Sequence, residues 1–296
     1  MPFLARTATT TTATPGLSSL AAGCGEGRRP GSAVASTLVH EALTGPLCPA
    51  EVVAAGPAAT YLDVAGDLLA VVAAGGVLLP CAVALADGVR PPVGDRLAVG
   101  GGAVWVDGRP ALVVRRWFDP RVRVRAVDPQ ALARLVAVVA EIPAPDPAVP
   151  ADATDPGVLL GRGVGLTPSG DDLVAGRLAA LRARGSAEAE ALGDAVRRLA
   201  PGRTTRLSAA LLAAADQGAV VPEAAAVLRA AADPAAVVPA ARRLLALGHT
   251  SGWYLAAGLA QGLAAVSERS ERTMGTVGCS ARRADRSLRA ARRVRQ

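Results

Sequence analysis

Gly161-Arg162-Gly163-Val164-Gly165-Leu166-Thr167-Pro168-Ser169-Gly170-Asp171-Asp172 divides the chain into a β-rich part before it and a helical part after it. Four glycines, two hydroxyls and two adjacent carboxylates fall within these twelve residues. Alternating glycines let the backbone take positive φ, so that N–H groups converge on one point. The stretch then opens a helix, since Asp172-Leu-Val-Ala-Gly-Arg-Leu-Ala-Ala-Leu181 has a helical composition. Exposed N–H groups and the positive end of a helix dipole together favour an anion there. A plainer reading competes: Ser169 and Asp172 have the spacing of a capping box. Capping leaves unexplained the glycines at every second position and the second carboxylate. The loop lacks the Lys-Ser/Thr ending of a P-loop, and its glycines do not follow the dinucleotide pattern.

Downstream everything reads as helix. Leu192, Val196 and Leu199 line one face of 187–200, and Thr204 or Thr205 caps a helix carrying Leu207, Leu211 and Ala215. Pro222 and Pro234 occupy N1-like positions, and Gly248 closes another helix. Gly248-His249-Thr250-Ser251-Gly252 then starts a helix with small residues at Ala256, Gly258 and Gly262, which suits close approach to a neighbour. The chain therefore has three polar helix starts: the central loop, Arg203-Thr204-Thr205, and the 248–252 stretch. If they converge, Arg162, Gly163, Gly165, Thr167, Ser169, Gly170, Arg203, Thr204, Thr250 and Ser251 would face an anion. Asp171 and Asp172 would face an amide, an ammonium or a metal. His249 is either an ordinary surface histidine or a proton carrier.

Upstream the pattern changes to strand. Thr60–Val64, Leu68–Val72 and Val77–Leu85 are short apolar runs bounded by Gly66-Asp67, Gly75-Gly76 and Asp87-Gly88. Asp107-Gly108 between Ala103–Val106 and Ala111–Val114 is a hairpin signal. Pro80 within a run indicates an edge or a bulge. Arg115, Arg116, Trp117, Arg121, Arg123 and Arg125 suit a solvated edge strand or an acidic partner. Ala33 to Leu43 reads as a short helix carrying His40. Asp128-Pro129 opens a helix with Leu132, Leu135, Val136 and Val139 on one stripe. The expected fold is α+β: an N-terminal antiparallel sandwich or small barrel, then a C-terminal all-helical domain. The expected boundaries are a disordered extension over 1–33, a β-rich domain over 34–141, a Pro-rich linker over 142–157, a helical domain over 158–266 and a basic, disordered tail over 267–296.

Composition narrows the function. Apolar residues make up 51% of the 296, enough for a large core, while aromatics are only 2% and offer few rings for stacking on bases. No lysine is present, and nine arginines in 267–296 account for most of the net +7. A solvated extension is a plainer account of that tail than nucleic-acid binding. Cys24, Cys48, Cys81 and Cys279 form no metal or disulfide pattern. No run is long and apolar enough for a membrane span, and no signal peptide is evident, so a cytoplasmic setting is expected.

Gly163-Val-Gly-Leu-Thr-Pro-Ser-Gly-Asp-Asp172, Arg203-Thr-Thr-Arg-Leu-Ser208 and Gly248-His-Thr-Ser-Gly252, in this order, resemble the AllH family over about residues 35–266. That resemblance implies a subunit of oxamate carbamoyltransferase, which acts in anaerobic purine (allantoin) catabolism beside two other proteins. The reaction interconverts oxalurate and phosphate with oxamate and carbamoyl phosphate. On this reading the Gly163–Gly170 loop takes phosphate or carboxylate. Asp171 or Asp172 accepts an amide N–H or holds Mg²⁺, and His249 carries a proton. No other cofactor is implied. The competing expectation is a non-catalytic partner or sensor subunit of a multi-protein complex.

Overall fold

The computed structural model describes residues 29–86 and 96–266. The expected tail, most of the N-terminal extension, Cys24, Cys279 and the Asp87-Gly88 turn lie outside these residues. Eight strands close into a barrel: β1 (Gly31–Ser36), β2 (Cys48–Ala55), β3 (Ala59–Val64), β4 (Asp67–Val72), β5 (Ala82–Leu85), β6 (Leu97–Gly100), β7 (Ala103–Val106) and β8 (Arg109–Phe118). Their order around the barrel is β1-β5-β4-β3-β2-β6-β7-β8, and β8 pairs back onto β1. Closure removes the unpaired edges that an open sheet of these short strands would expose. The strands are antiparallel except at the β1–β8 and β4–β5 junctions.

Local chemistry accounts for the hairpins. Asp107 and Gly108 take φ of 48° and 79°, the two left-handed positions that a tight turn between twisted strands requires. Leu68 to Val72 is a continuous apolar run because β4 is buried from Leu68 onward. The barrel lies behind one face, and the helix α6 (Arg206–Asp216) packs against the strand.

Several expectations need correction here. Residues 31–36 form β1, and helix is confined to a short turn and α1 (His40–Thr44). Pairing of Ala33–Ala35 with Leu85–Val83 on one side and with β8 on the other outweighs local helix propensity. In the Val77–Leu85 run only Ala82–Leu85 is strand, since Pro80 supplies no N–H to a ladder. β8 is paired on both sides at Leu112 and Val113, while Arg116 to Phe118 pair with β1 alone. Trp117 lies against the His40 ring, with centroids 4.6 Å apart.

The helical layer comprises α2 (Pro129–Ala140), α3 (Pro156–Leu159), α4 (Ser169–Ala183), α5 (Glu188–Leu199), α6, α7 (Pro222–Arg229), α8 (Val237–Leu245) and α9 (251–266). Asp128 caps α2, accepting from the N–H groups of Gln130 and Ala131 at 2.8 and 3.0 Å. The buried stripe of α2 is Ala131, Leu135, Val138 and Val139, with Val136 turned to solvent, so the stripe is rotated from the expected one. Pro234 lies in the turn before α8 rather than at its first position, and Asp233 accepts there from Ala235 N at 2.8 Å.

α4 and α9 cross with their backbones in contact. A Cβ on Gly258 would sit 2.1 Å from Leu173 O, and one on Gly176 would sit 2.4 Å from Leu255 O. The small residues expected on α9 therefore serve this crossing. Tyr254 on α9, fully buried, donates to Asp146 O at 2.7 Å, and Trp253 Nε1 donates to Ile142 O at 3.0 Å. Gln261 Nε2 donates to Ala151 O at 2.8 Å. The Pro-rich stretch is thus tied along α9 instead of hanging free. Arg182 on α4 donates to Asp216 at the end of α6 through Nε and Nη2, at 3.1 and 2.7 Å, and to Glu190 on α5. Among the described residues, no helix is long and apolar enough to cross a membrane.

Candidate functional site

The three polar helix starts meet. Thr167 of the central loop and Ser251 at the start of α9 share a hydrogen bond of 3.0 Å between hydroxyls. Thr205 donates to Leu166 O and caps α6 by accepting from Ser208 N at 3.0 Å. Thr204 and Ser208 both donate to Asp171 Oδ2, and Gly161 N donates to Asp171 Oδ1 at 2.7 Å. One carboxylate thus gathers the start of the loop, the 203–205 turn and the first turn of α6.

The neighbouring carboxylate is placed differently. Asp172 is only 5% exposed, and its Oδ2 has no hydrogen-bond partner among the described residues. Burial pushes its carboxyl up to about 7; the Ser251 hydroxyl pulls the other way, and the charge of Asp171 adds to the rise. A carboxyl removed from water favours its neutral form, and proximity to another carboxylate adds to the preference.

Asp172 lines a cleft of about 300 Å³ between barrel and helices. Thr167 and Ser251 stand beside it on the helical wall, and Tyr61 of β3 is on the barrel wall. Most of the remaining lining is aliphatic, with Val72, Val77 and Leu79 from the barrel side and Leu207, Leu211 and Leu255 from the helices. Burial raises the Tyr61 phenol above its ordinary range, so it stays neutral at neutral pH. Among the described lining residues none is cationic.

The other candidates are distributed around this cleft. α4 begins at Ser169 itself, with Pro168 as N-cap and no side-chain cap, so the Ser169–Asp172 capping box is not formed. Ser169 is buried, and the N–H of Gly170 is bonded to Arg162 O at 2.9 Å. The N–H groups of Gly163, Gly165 and Thr167 have no acceptor among the described residues. Gly163 and Gly165 have φ of 105° and 96°, and Val164 at the loop tip is 87% exposed. Gly161 and Gly170 are glycine for a different reason, because a Cβ on either would lie 2.1 Å from a backbone oxygen, of Arg203 or Leu159 respectively. Arg162 donates to Ala148 O at 3.3 Å and Arg203 to Gly157 O at 3.2 Å, and neither lines the cleft. His249 is exposed and outside the lining, and Thr250 contributes its carbonyl to Trp253 N at 3.1 Å. Among the described residues, no three His, Cys, Asp or Glu side chains group to hold a metal. Asp171, with three protein donors, is already committed.

Sequence reasoning missed Tyr61 and the aliphatic walls. A tyrosine within a β run and leucines on helices carry no local sign that distinguishes a cleft from a core.

These features define a barrel-and-helix protein with a ligand-sized cleft and, in its wall, a buried acid with one oxygen that has no partner among the described residues. The family model for oxamate carbamoyltransferase subunit AllH matches residues 159–263, about a third of the chain and the span containing all three polar starts. No curated protein and no solved structure matches the chain.

Proposed function

We propose that the chain is a subunit of a carbamoyltransferase of the oxamate carbamoyltransferase type, with the carbamoyl acceptor held at Asp172. The observation that carries this reading is the coincidence of the family match with the place where the three polar helix starts meet around a buried acid.

The chemistry suits the arrangement. In carbamoyl transfer the acceptor nitrogen forms a bond to the carbamoyl carbon as the C–O bond to phosphate breaks. The nitrogen loses a proton and phosphate leaves. Asp172, with its carboxyl raised to about 7, suits accepting and releasing that proton near neutrality. The unbonded N–H groups of Gly163, Gly165 and Thr167 suit oxygens that gather charge as the phosphate departs. Asp171 holds the loop in place and does not touch the reactants.

The described lining of the cleft offers no cation to balance a phosphate dianion. The complementary charge would come from another subunit, and apolar Val164 and Leu166 at the exposed loop tip suit cover by such a partner. A chain that needs partners to complete the site accords with a family of enzyme subunits.

The test is reconstitution with the partner subunits, measuring phosphate released from carbamoyl phosphate with oxamate or an alkylamine as acceptor. Asp172→Asn is expected to lower kcat at least 100-fold while the complex still assembles. Unchanged turnover would remove Asp172 from the reaction.

A further inference from the structure

We propose that the cleft recognises a primary amine on an unbranched aliphatic body of about six to eight carbons, its ammonium on Asp172 and its chain along the leucine and valine walls. The proposal rests on the functional reading above only in naming the acceptor for that site; binding itself requires no turnover.

Size argues first. Oxamate has six heavy atoms and phosphate has five. The cleft encloses about 300 Å³, room for roughly ten waters at about 30 Å³ each, so either small anion would leave much of it unfilled.

The nature of the walls argues second. The side chains of Val72, Val77, Leu79, Leu207, Leu211 and Leu255 return nothing to a polar solute. An anion entering beside them would lose its hydration with no cation in the described lining to replace it, and it would face Asp172. An aliphatic chain gains free energy from the same walls with each CH₂ it buries.

The polar side chains argue third. Those of the lining carry only oxygens as polar atoms: the carboxyl of Asp172 and the hydroxyls of Thr167 and Ser251 on the helical wall, and of Tyr61 on the barrel wall. Asp172 Oδ2 is buried and has no partner among the described residues. An ammonium has three donors and no acceptor, and supplies the positive charge that a buried carboxylate lacks. An ionised carboxylate offers only acceptors.

The experiment is isothermal titration of the full chain at pH 7.5 with n-hexylamine, hexan-1-ol, hexanoate and oxamate. Hexylamine is expected to bind, with hexanoate and oxamate at least tenfold weaker. Asp172→Asn is expected to weaken hexylamine at least tenfold and hexan-1-ol less than threefold. Leu211→Phe, which fills the aliphatic wall, is expected to weaken both. Should Asp172→Asn fail to fold, Ser251→Ala replaces it, with an expected loss of threefold or more for the amine alone. Tighter binding of oxamate or hexanoate, absence of amine binding, or amine affinity indifferent to both polar variants overturns the proposal. Amine binding without carbamoyl transfer in the reconstituted complex sinks only the transferase reading. Oxamate turnover without amine binding sinks only the amine.

Discussion

Ser208 Oγ donates to Asp171 Oδ2 across 2.7 Å, although 37 positions separate the two residues. With Thr204 on the same oxygen and Gly161 N on the other, Asp171 is a buried carboxylate whose charge is met by three donors. It fixes where the glycine loop leaves α3 and where α6 begins. Asp171→Ala would strand these donors, and each unmade buried bond costs about 1–3 kcal/mol. The expected loss is on the order of 3–5 kcal/mol by urea denaturation, and Ser208→Ala should cost about 1–2 kcal/mol. A loss below about 1 kcal/mol for Asp171→Ala would show that the loop is held by something else.

Asp172 predicts a pH dependence of the opposite sign to that of an ordinary ion-paired acid. Its carboxyl lies at about 7 in the folded chain against 3.8 for a free one. The folded state therefore keeps a proton that the unfolded chain releases, and stability falls as pH rises from about 4 to about 7. Of the ionisable groups facing it, Asp171 on its own helix adds to the rise and Tyr61 on the barrel wall stays neutral. The rise from 3.8 to about 7 corresponds to at most about 4 kcal/mol. Asp172→Asn should accordingly raise the melting temperature at pH 8, and that gain should shrink to nothing near pH 4. A gain that is constant across this range would count against a buried, protonated Asp172.

How far the sequence foretold this depends on whether the signal was local. Asp107-Gly108 announced a hairpin because the turn itself demands left-handed φ, and Asp128 announced α2 because a cap acts within three residues. β1 was misread because its strand character comes from partners at Leu85 and Phe118, remote in the chain. Asp171 and Asp172 were legible as a pair but not as opposites. Adjacent helix positions point about 100° apart, so one reaches α6 and the other the cleft. Arg162 and Arg203 were assigned to the anion because each belongs to one of the converging polar helix starts, yet their side chains end on the carbonyls of Ala148 and Gly157.

The glycines of the helix crossing and of the loop should respond differently to alanine. At Gly258 the added methyl carbon meets Leu173 O at 2.1 Å, and both atoms belong to packed backbones. Gly258→Ala is expected to cost about 3 kcal/mol or more as α4 and α9 separate. At Gly165 nothing lies within 4 Å, and only the φ of 96° resists a side chain, so Gly165→Ala should cost about 1–2 kcal/mol. Equal losses in thermal denaturation would contradict the close crossing.

Tyr61 separates a cleft residue from a core residue by one oxygen atom. It packs against the core and lines the cleft, while its hydroxyl has no hydrogen-bond partner among the described residues. If the phenol serves only the ligand, Tyr61→Phe removes no protein contact. Stability should then change by no more than about 0.5 kcal/mol, the usual range for a change that breaks nothing. Hexylamine affinity should fall about three- to tenfold, the loss of one hydrogen bond worth about 0.5–1.5 kcal/mol. Paired melting and titration measurements on this variant decide the matter. A stability loss above about 1 kcal/mol with unchanged affinity would return Tyr61 to the core and leave Asp172, Thr167 and Ser251 as the only side chains that meet the amine.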